Sequence, residues 1–536
     1  MRTTVNKLYV ILLSLIVALG GFLLGFDSSV IAGAVPYYSS IFGLDQDTFW
    51  FGFSVSALTA GSIVGNFAGG ILADKIGRKT VLIGTATLFA ICALGTALAN
   101  NLTMFIMARI VGGLGVGMAI LVAPMYIAEV APKQYRGTLV SINQLNIVLG
   151  ISIAFFTNYY INKTISDPNL NWRWMLGIGV IPAILYLLLL LLVPQSPRWL
   201  AIRSRMVEAK KILQKIGGEE YANVTINEIQ VNIEKDKDRP KAYFKELLNR
   251  EMRLILIIGL GIAFIQQISA INAILYYAPI IFESAGGGRD AAFMQSVILG
   301  VVNVVFTILA MFLIDRIGRK PLLIIGLSGI ILAYVMSSFA FYQADYKITS
   351  GSLNRISVEM SKKGFSEEEV ISVKDGLGIM LNKEYPEEVG FFKEVRINTG
   401  ENYPKTKNLI LKNSIQMNSR LVLIGILLFI ASFAISLGPV TWTLLSEIFP
   451  VRIRGLAISV AGTFNALVSA IVITLFPVEL ARLGSGMTFA IFAVICALGL
   501  LFVIKYIPET KGISLEEIEK RLIVNNHSNG SFHAVN

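Results

Sequence analysis

Histidine is almost absent from this chain of 536 residues: His527 and His533, both in the polar C-terminal stretch, are the only two. Their placement gives no metal-ligand spacing, and no nucleophile–base constellation appears elsewhere, so neither a metal centre nor an enzyme is expected. Cysteine is equally scarce. Cys92 and Cys496 each lie inside an apolar run, which reads as packing rather than as a disulfide pair. Charge is low as well, at 15% of residues, where a soluble domain carries about a quarter. The balance is positive, +11, yet the cations sit in particular loops and at the chain ends, a distribution that speaks for a membrane and against nucleic acid.

What the chain has instead is long apolar runs and an internal repeat. Asp74-Lys75-Ile76-Gly77-Arg78-Lys79 returns as Asp315-Arg316-Ile317-Gly318-Arg319-Lys320. Glu129-x-x-Pro132-x-x-x-Arg136-Gly137 returns as Glu447-x-x-Pro450-x-x-x-Arg454-Gly455. Two matched pairs in one order mean two homologous halves. The first pair is 241 positions apart and the second 318, so the second half has gained about 77 residues between its landmarks. The polar stretch 343–419 fills that gap.

A membrane-spanning helix needs about 20 mostly apolar residues. Twelve such runs are present: 8–34, 48–73, 80–99, 103–131, 138–161 and 172–193, then 251–282, 291–314, 321–341, 421–445, 455–476 and 486–507. The expected fold is therefore an all-α membrane protein of two pseudo-symmetric six-helix bundles. Arg and Lys collect after the even-numbered spans and are missing after spans one and three, which places both termini and the 194–250 loop in the cytoplasm of a multi-pass cell-membrane protein. No small-residue cleavage site follows Leu24, so the first span is expected to be retained.

The organisation read from this is an N-terminal bundle (1–193), a cytoplasmic linker with short helices (194–250), a C-terminal bundle (251–507) interrupted by an extracytoplasmic insertion (343–419), and a cytoplasmic tail (508–536). In the linker, 207–213 and 225–233 have helical spacing on either side of Gly217-Gly218. In the insertion, Ser366-Glu367-Glu368-Glu369 is a capping-box start, which predicts one small helix in a solvent-facing decoration. Gly113-x-Gly115-x-Gly117 lies in an apolar span with no preceding strand. It reads as a close helix contact, not a dinucleotide fingerprint. Asn162-Lys163-Thr164 is a glycosylation sequon on the outer side.

Asp27 and Arg109 are charges inside apolar spans, which are costly there and either pair or line a water-filled cavity. They are candidates for a proton site, with a fixed ion pair between spans one and four as the alternative. Gln266, Gln267 and Asn272 share the seventh span. On a continuous helix the first two point about 100° apart and Asn272 about 140° from Gln267. Only a break at Gly or Ser brings all three around one ligand. Amides donate and accept, which suits neutral polyhydroxy ligands, and interhelical bonding is the other use for them. The repeated Asp/Arg/Lys and Glu/Arg motifs make Arg78, Glu129, Arg136, Arg319, Glu447 and Arg454 candidates for salt bridges between the halves.

Seven short signatures in order carry a resemblance: Gly25-Phe26-Asp27, Gly77-Arg78-Lys79, Arg109-Ile110-Val111-Gly112-Gly113, Pro194-Gln195-Ser196-Pro197-Arg198-Trp199-Leu200, Gln266-Gln267-Ile268-Ser269-Ala270-Ile271-Asn272, Gly438-Pro439-Val440-Thr441-Trp442 and Pro508-Glu509-Thr510-Lys511-Gly512. Along nearly its whole length, the insertion excepted, the chain resembles the sugar porters of the major facilitator superfamily, in particular bacterial proton–xylose and proton–glucose symporters and animal facilitative glucose carriers. The resemblance implies that Gln144, Gln266, Gln267, Asn272, Asn303, Trp442 and Asn465 bind a monosaccharide. It implies that Asp27, which the animal uniporters replace with Asn, carries the proton, and that the Glu/Arg motifs latch the outward-open state. Two departures leave the sugar open: Ala466 stands where the family usually has a second Trp, and Leu24 where the xylose symporter has Phe.

The expected function is a proton-coupled monosaccharide symporter working by alternating access, as a monomer in the lipid bilayer, with the proton as coupling ion and no cofactor. A sugar uniporter is the alternative, and a sugar sensor is disfavoured by the short tail. A channel fits two latched, pseudo-symmetric halves poorly.

Overall fold

The structure, a computed structural model, describes residues 6–513 apart from 45–46, 133, 238–243, 250–251, 363, 386–387 and 451–452. Most of the expected tail, with His527 and His533, and part of the linker lie outside the described residues.

The first half is α1 (Lys7–Ile41), α2 (Thr48–Ile76), α3 (Arg78–Ala97), α4 (Leu102–Val130), α5 (Arg136–Thr164) and a sixth span made of α6 (Pro168–Gly177) and α7 (Val180–Leu192). Polar caps set their starts. Asn6, Asp47 and Asn101 accept from the amides of Tyr9, Trp50 and Met104, each using one of the donors a helix leaves unpaired at its first turn. The linker holds α8 (Pro197–Ile202), α9 (Met206–Lys237) and α10 (Phe244–Leu247). Helical geometry in α9 fails at Gly217 and Gly218, where the sequence predicts a break.

The second half begins with α11 (Arg253–Ile268) and α12 (Ile271–Ser284), which share the seventh span, then α13 (Arg289–Ile317) and α14 (Arg319–Tyr342). After the insertion, α19 (Ser419–Ile435) and α20 (Leu437–Ile448) share the tenth span. The last helix among the described residues, α21 (Arg454–Tyr506), runs 53 residues. A hydrocarbon core about 30 Å thick takes about 20 residues, so α21 crosses twice, turning at Gly484, whose φ is +77°. Twelve crossings result. Large apolar side chains such as Ile71, Leu192, Phe312 and Leu501 stay exposed, as expected of helices long and apolar enough to cross a membrane.

Between β1 (Asp345–Lys347) and β3 (Ile415–Gln416), the insertion holds α15 (Ser350–Lys362), α16 (Glu367–Gly378), β2 (Glu384–Tyr385), α17 (Glu388–Thr399) and α18 (Tyr403–Ser414). The strands pair antiparallel in the order β2-β1-β3, with Tyr346 opposite Tyr385 and Asp345 opposite Gln416. The Ser366–Glu369 capping box forms, with both reciprocal bonds. The small helix expected there is α16, and with α15, α17 and α18 it encloses a core of Ile348, Ile356, Met360, Leu377, Phe391 and Val395. Each helix is too short and too polar to stand out by periodicity. The insertion docks on the second half. The Ser485 amide donates to Glu388 at 2.7 Å, beside the Gly484 turn, and the Ser419 hydroxyl donates to the Ala285 carbonyl.

Glycine decides how closely α2 and α4 approach. Gly113 and Gly117 face Gly61 and Gly65, and a Cβ on Gly113 would fall 2.1 Å from the Leu58 carbonyl oxygen. The glycine run is a helix contact, as its place in the sequence predicts.

Hydrogen bonds that join the halves lie from mid-bundle to the end opposite the start of α1. Ser56 meets Thr474 at 2.6 Å and Asn162 donates to Asp290 at 2.9 Å. There, too, the Arg289 guanidinium lies 4.8 Å from the centre of the Tyr37 ring.

Candidate functional site

The seventh span breaks where its amides need it to. Ala270 adopts left-handed geometry, φ 61°, between Ile268 and Ile271. A non-glycine residue there costs about 1–2 kcal/mol, so the surroundings must hold it. They do: the Tyr334 hydroxyl donates to the Ser269 carbonyl at 2.5 Å, and the Ser269 hydroxyl donates to the Gln266 carbonyl at 2.7 Å. Inside a membrane an irregular turn persists only if its freed polar groups are satisfied in this way. The tenth span breaks at Ser436, and the Gln266 amide donates to the Leu437 carbonyl at 2.9 Å. One side chain thus ties the two breaks together.

Around these breaks the carboxamides form one chain. Asn465 of α21 donates to Gln266 Oε1 at 2.9 Å and to the Ala263 carbonyl at 2.9 Å. Gln267 donates to Asn465 Oδ1 at 3.0 Å. Asn272 donates to Gln267 Oε1 at 3.0 Å and to the Ser469 hydroxyl at 2.8 Å. Gln266 and Asn465 are buried with their hydrogen-bonding capacity largely used, whereas Gln267 and Asn272 are half-buried. One N–H of Gln267 and the Asn272 carbonyl oxygen remain unpaired among the described residues. Trp442 of α20 flanks the cluster: its ring lies 3.7 Å from where a Cβ on Gly462, one turn from Asn465, would sit.

Gln144 of α5 and Asn303 of α13 stand on facing helices of opposite halves. Among the described residues neither makes a side-chain hydrogen bond. The structure therefore brings Gln266, Gln267, Asn272 and Asn465 together, sets Trp442 beside them, and leaves Gln144 and Asn303 outside the bonded cluster. Ser469 is an addition. It falls one helical turn after Asn465, a spacing that could have flagged it.

Asp27 and Arg109 meet. Arg109 Nη1 lies 3.7 Å from Asp27 Oδ1 and donates to the Asp27 main-chain oxygen at 3.2 Å. The Arg109 side chain is fully buried, while that of Asp27 keeps 13% exposure. A third group is present that sequence reasoning treated as packing: the Cys92 thiol is 3.6 Å from Asp27 Oδ2. Nothing along the chain links residues 27 and 92.

Among the described residues, the salt bridges of the repeated charged motifs form within each half in this conformation. Arg78 contacts Asp74 at 3.0 Å and Glu129 at 3.1 Å, while Arg319 contacts Asp315 at 3.2 Å and Glu447 at 2.8 Å. The turn from α2 to α3 lies next to the end of α4 in one bundle, so the motif is satisfied locally, and the same holds for its copy. Hydroxyls complete both pairs at 2.5 Å, Ser196 on Glu129 and Thr510 on Glu447. Arg136 is exposed and joins no ion pair among the described residues. Arg454 donates to the Phe449 carbonyl of its own segment at 3.1 Å.

The family profile described as "Sugar (and other) transporter" matches residues 13–356 and 404–522. The chain belongs to this family. The internal stretch left unmatched, 357–403, falls within the insertion. Among curated relatives of this sugar transporter, the arabinose-proton symporter of Bacillus subtilis (strain 168) is 34% identical, over 96% of this chain and 95% of that protein. The D-xylose-proton symporter of Escherichia coli (strain K12) is 32% identical, over 97% of each. The major myo-inositol transporter IolT of Bacillus subtilis (strain 168) is 32% identical, over 96% of this chain and 94% of that one. Among solved structures, the inward open conformation of the xylose transporter XylE from E. coli aligns with a TM-score of 0.72 at 30% identity, covering 96% of this chain and all of that one. XylE bound to 6-bromo-6-deoxy-D-glucose aligns with a TM-score of 0.68 at 30% identity, over 96% of this chain and 100% of that one. The sugar transporter is thus a multi-pass membrane protein with the twelve-helix fold of the major facilitator superfamily, and its relatives are transporters rather than enzymes.

Proposed function

We propose that this sugar transporter is a proton-coupled monosaccharide symporter of the cell membrane, acting as a monomer. It alternates access between two six-helix bundles, 1–193 and 251–507, joined by the 194–250 linker. The observation that carries this reading is the pairing of two sites: a carboxamide chain at the broken seventh and tenth spans, and a buried Asp27–Arg109 pair in the other half. Relatives named as arabinose-proton and xylose-proton symporters support it.

In this reading, Gln267 and Asn272 offer their unpaired N–H and carbonyl to sugar hydroxyls. Gln266 and Asn465 hold those two side chains in place, and Trp442 supplies an apolar face for the ring. Gln144 and Asn303 approach the sugar from α5 and α13. Proton binding at Asp27 removes the partner charge of Arg109 and so changes what holds α1 against α4. A ligand shifts such an equilibrium only by its differential affinity for the two states; sugar and proton together supply it. The proton is the coupling ion, and no cofactor takes part.

In this reading both termini and the linker lie in the cytoplasm and the 343–419 insertion outside, which the loop charges support. The bonds between Ser56 and Thr474 and between Asn162 and Asp290 then close the outer side, and the conformation is inward-facing. The Arg78–Glu129 and Arg319–Glu447 pairs shape the two inner rims that meet when the transporter opens outward, with Arg136 and Arg454 at the same rims.

The test is Asp27→Asn in proteoliposomes. Sugar accumulation driven by a proton gradient is lost, while sugar counterflow persists. Wild-type uptake indifferent to the proton gradient refutes symport and leaves the uniporter.

A further inference from the structure

Cys92 lies on α3 with no exposed surface. Its sulfur is 3.6 Å from Asp27 Oδ2 and 4.0 Å from Oδ1, within reach for a thiol hydrogen bond. Packing confines it there. Gly112 of α4, one turn from Arg109, comes so close that a Cβ at 112 would fall 2.4 Å from the sulfur. Arg109 covers the carboxylate only in part. Its Nη1 stands at 3.7 Å from Oδ1, and its Nε and Nη2 have no hydrogen-bond partner among the described residues.

The other elements around this stretch of α1 add one titratable group. Tyr276 of α12 places its hydroxyl on Ser28 and Thr59. α5 brings the Ile147 carbonyl against Gly25, and Gly179 of the sixth span lies beside the Phe26 ring. The groups that can respond to a proton on Asp27 are therefore Arg109, Cys92 and Tyr276, and among the side-chain hydrogen bonds formed by the described residues, only that from Cys92 reaches the carboxylate oxygens.

We propose that Cys92 is a positioning residue for the proton step, resting on the reading of Asp27 as the proton site. The thiol donates to the Asp27 carboxylate when Asp27 is ionised. When a proton from water binds Asp27, the new carboxyl O–H donates to the sulfur. The thiol keeps its own proton throughout, so one hydrogen bond reverses and no covalent bond to sulfur changes. A thiol is a weak donor and a weak acceptor. It stays bonded in both states and, because its bond to a charged oxygen is the stronger, favours the ionised state only modestly, as a group that must load and unload a proton in every cycle requires. Serine in its place donates more strongly and favours the ionised state, and alanine removes the contact.

The chain has two cysteines, so in a Cys496→Ala background the infrared S–H stretch reports Cys92 alone. The expected result is a band that shifts on acidification in step with the appearance of the protonated Asp27 carboxyl band, and that stays fixed in Asp27→Asn. If the carboxyl band never appears, the Asp27 proton site fails and the role of Cys92 falls with it. If the carboxyl band appears while the S–H band stays still, the inference about Cys92 alone is overturned. In proteoliposomes, Cys92→Ala moves the pH of half-maximal uptake upward by about half to one unit, a threefold to tenfold change in proton affinity on the scale of one modest hydrogen bond. Cys92→Ser moves it the other way. A merely structural cysteine would lower uptake at every pH and leave the midpoint in place, and that result also overturns the proposal.

Discussion

Replacing Gln267 with alanine tests the carboxamide chain most directly, because Gln267 links its two ends. In the wild type it donates to Asn465 and accepts from Asn272, each at 3.0 Å, and its second N–H is open to a ligand. The substitution removes the direct bond to a sugar hydroxyl and also frees Asn272 to rotate about its remaining bond to Ser469. A lost neutral hydrogen bond costs about 0.5–1.5 kcal/mol, and more where a buried partner is left unpaired. Since 1.4 kcal/mol is a factor of ten, affinity should fall roughly threefold to well over tenfold. Isothermal calorimetry in detergent with a panel of monosaccharides measures this, and counterflow in proteoliposomes identifies the sugar on which to measure it. Asn272→Ala is expected to fall in the same range. Ser469→Ala, which removes only the anchor of Asn272, should cost less. Unchanged affinity in both Gln267→Ala and Asn272→Ala, in protein whose thermal unfolding matches wild type, would refute this location for the sugar.

Three further outcomes are expected. Glu129→Gln with Glu447→Gln strips Arg78 and Arg319 of their glutamate partners, leaving Asp74 and Asp315, and should reduce transport with little change in sugar affinity; both pairs are largely buried, where removing one charge costs more than at an exposed pair, enough to bias a near-balanced equilibrium. Spin labels on the cytoplasmic ends of the two halves read the shift, and identical distance distributions would mean that these residues fix folding, not gating. Gly113→Ala drives a Cβ into the Leu58 carbonyl and should destabilise by about 1–3 kcal/mol, whereas Gly84→Ala, with no atom within 4 Å of the added Cβ, should be neutral or gain up to about 1 kcal/mol of helix propensity; thermal unfolding compares the two, and equal effects would remove the packing argument. Burial raises the carboxyl of Glu388 above the usual glutamate value, opposed by the Ser485 hydrogen bonds and Lys407, so the folded state holds more protons than the unfolded one between about pH 4.5 and that raised value. Docking of the insertion should then weaken as pH rises through this window; hydrogen exchange at the Ser485 amide, corrected for intrinsic rate, measures it, Glu388→Gln should flatten the profile, and docking that strengthens with pH would contradict it.

Local pattern was enough for much of this protein. Twelve apolar runs, the repeated Asp/Arg/Lys and Glu/Arg motifs and the loop charges predict a twelve-span bundle of two related halves, because in lipid a helix is the form that satisfies its own backbone. The kink at Gly217-Gly218 and the Ser366–Glu369 capping box are equally local, each set by a few neighbouring residues. The amides of the seventh span show the limit. Their spacing called for a break at Gly or Ser for a shared ligand, and Ser269 lies there but keeps right-handed geometry. The break falls on Ala270, held by a tyrosine hydroxyl from position 334. The bond from Gln267 to Asn465 spans 198 positions, the thiol contact from Cys92 to Asp27 spans 65, and Arg78 and Arg319 each choose a glutamate in their own half. Such choices depend on which helix faces come together and how closely glycine seams let them approach. Periodicity along one helix carries no record of that, so the amide chain, the second partner of Asp27 and the in-half salt bridges were decided by tertiary packing alone.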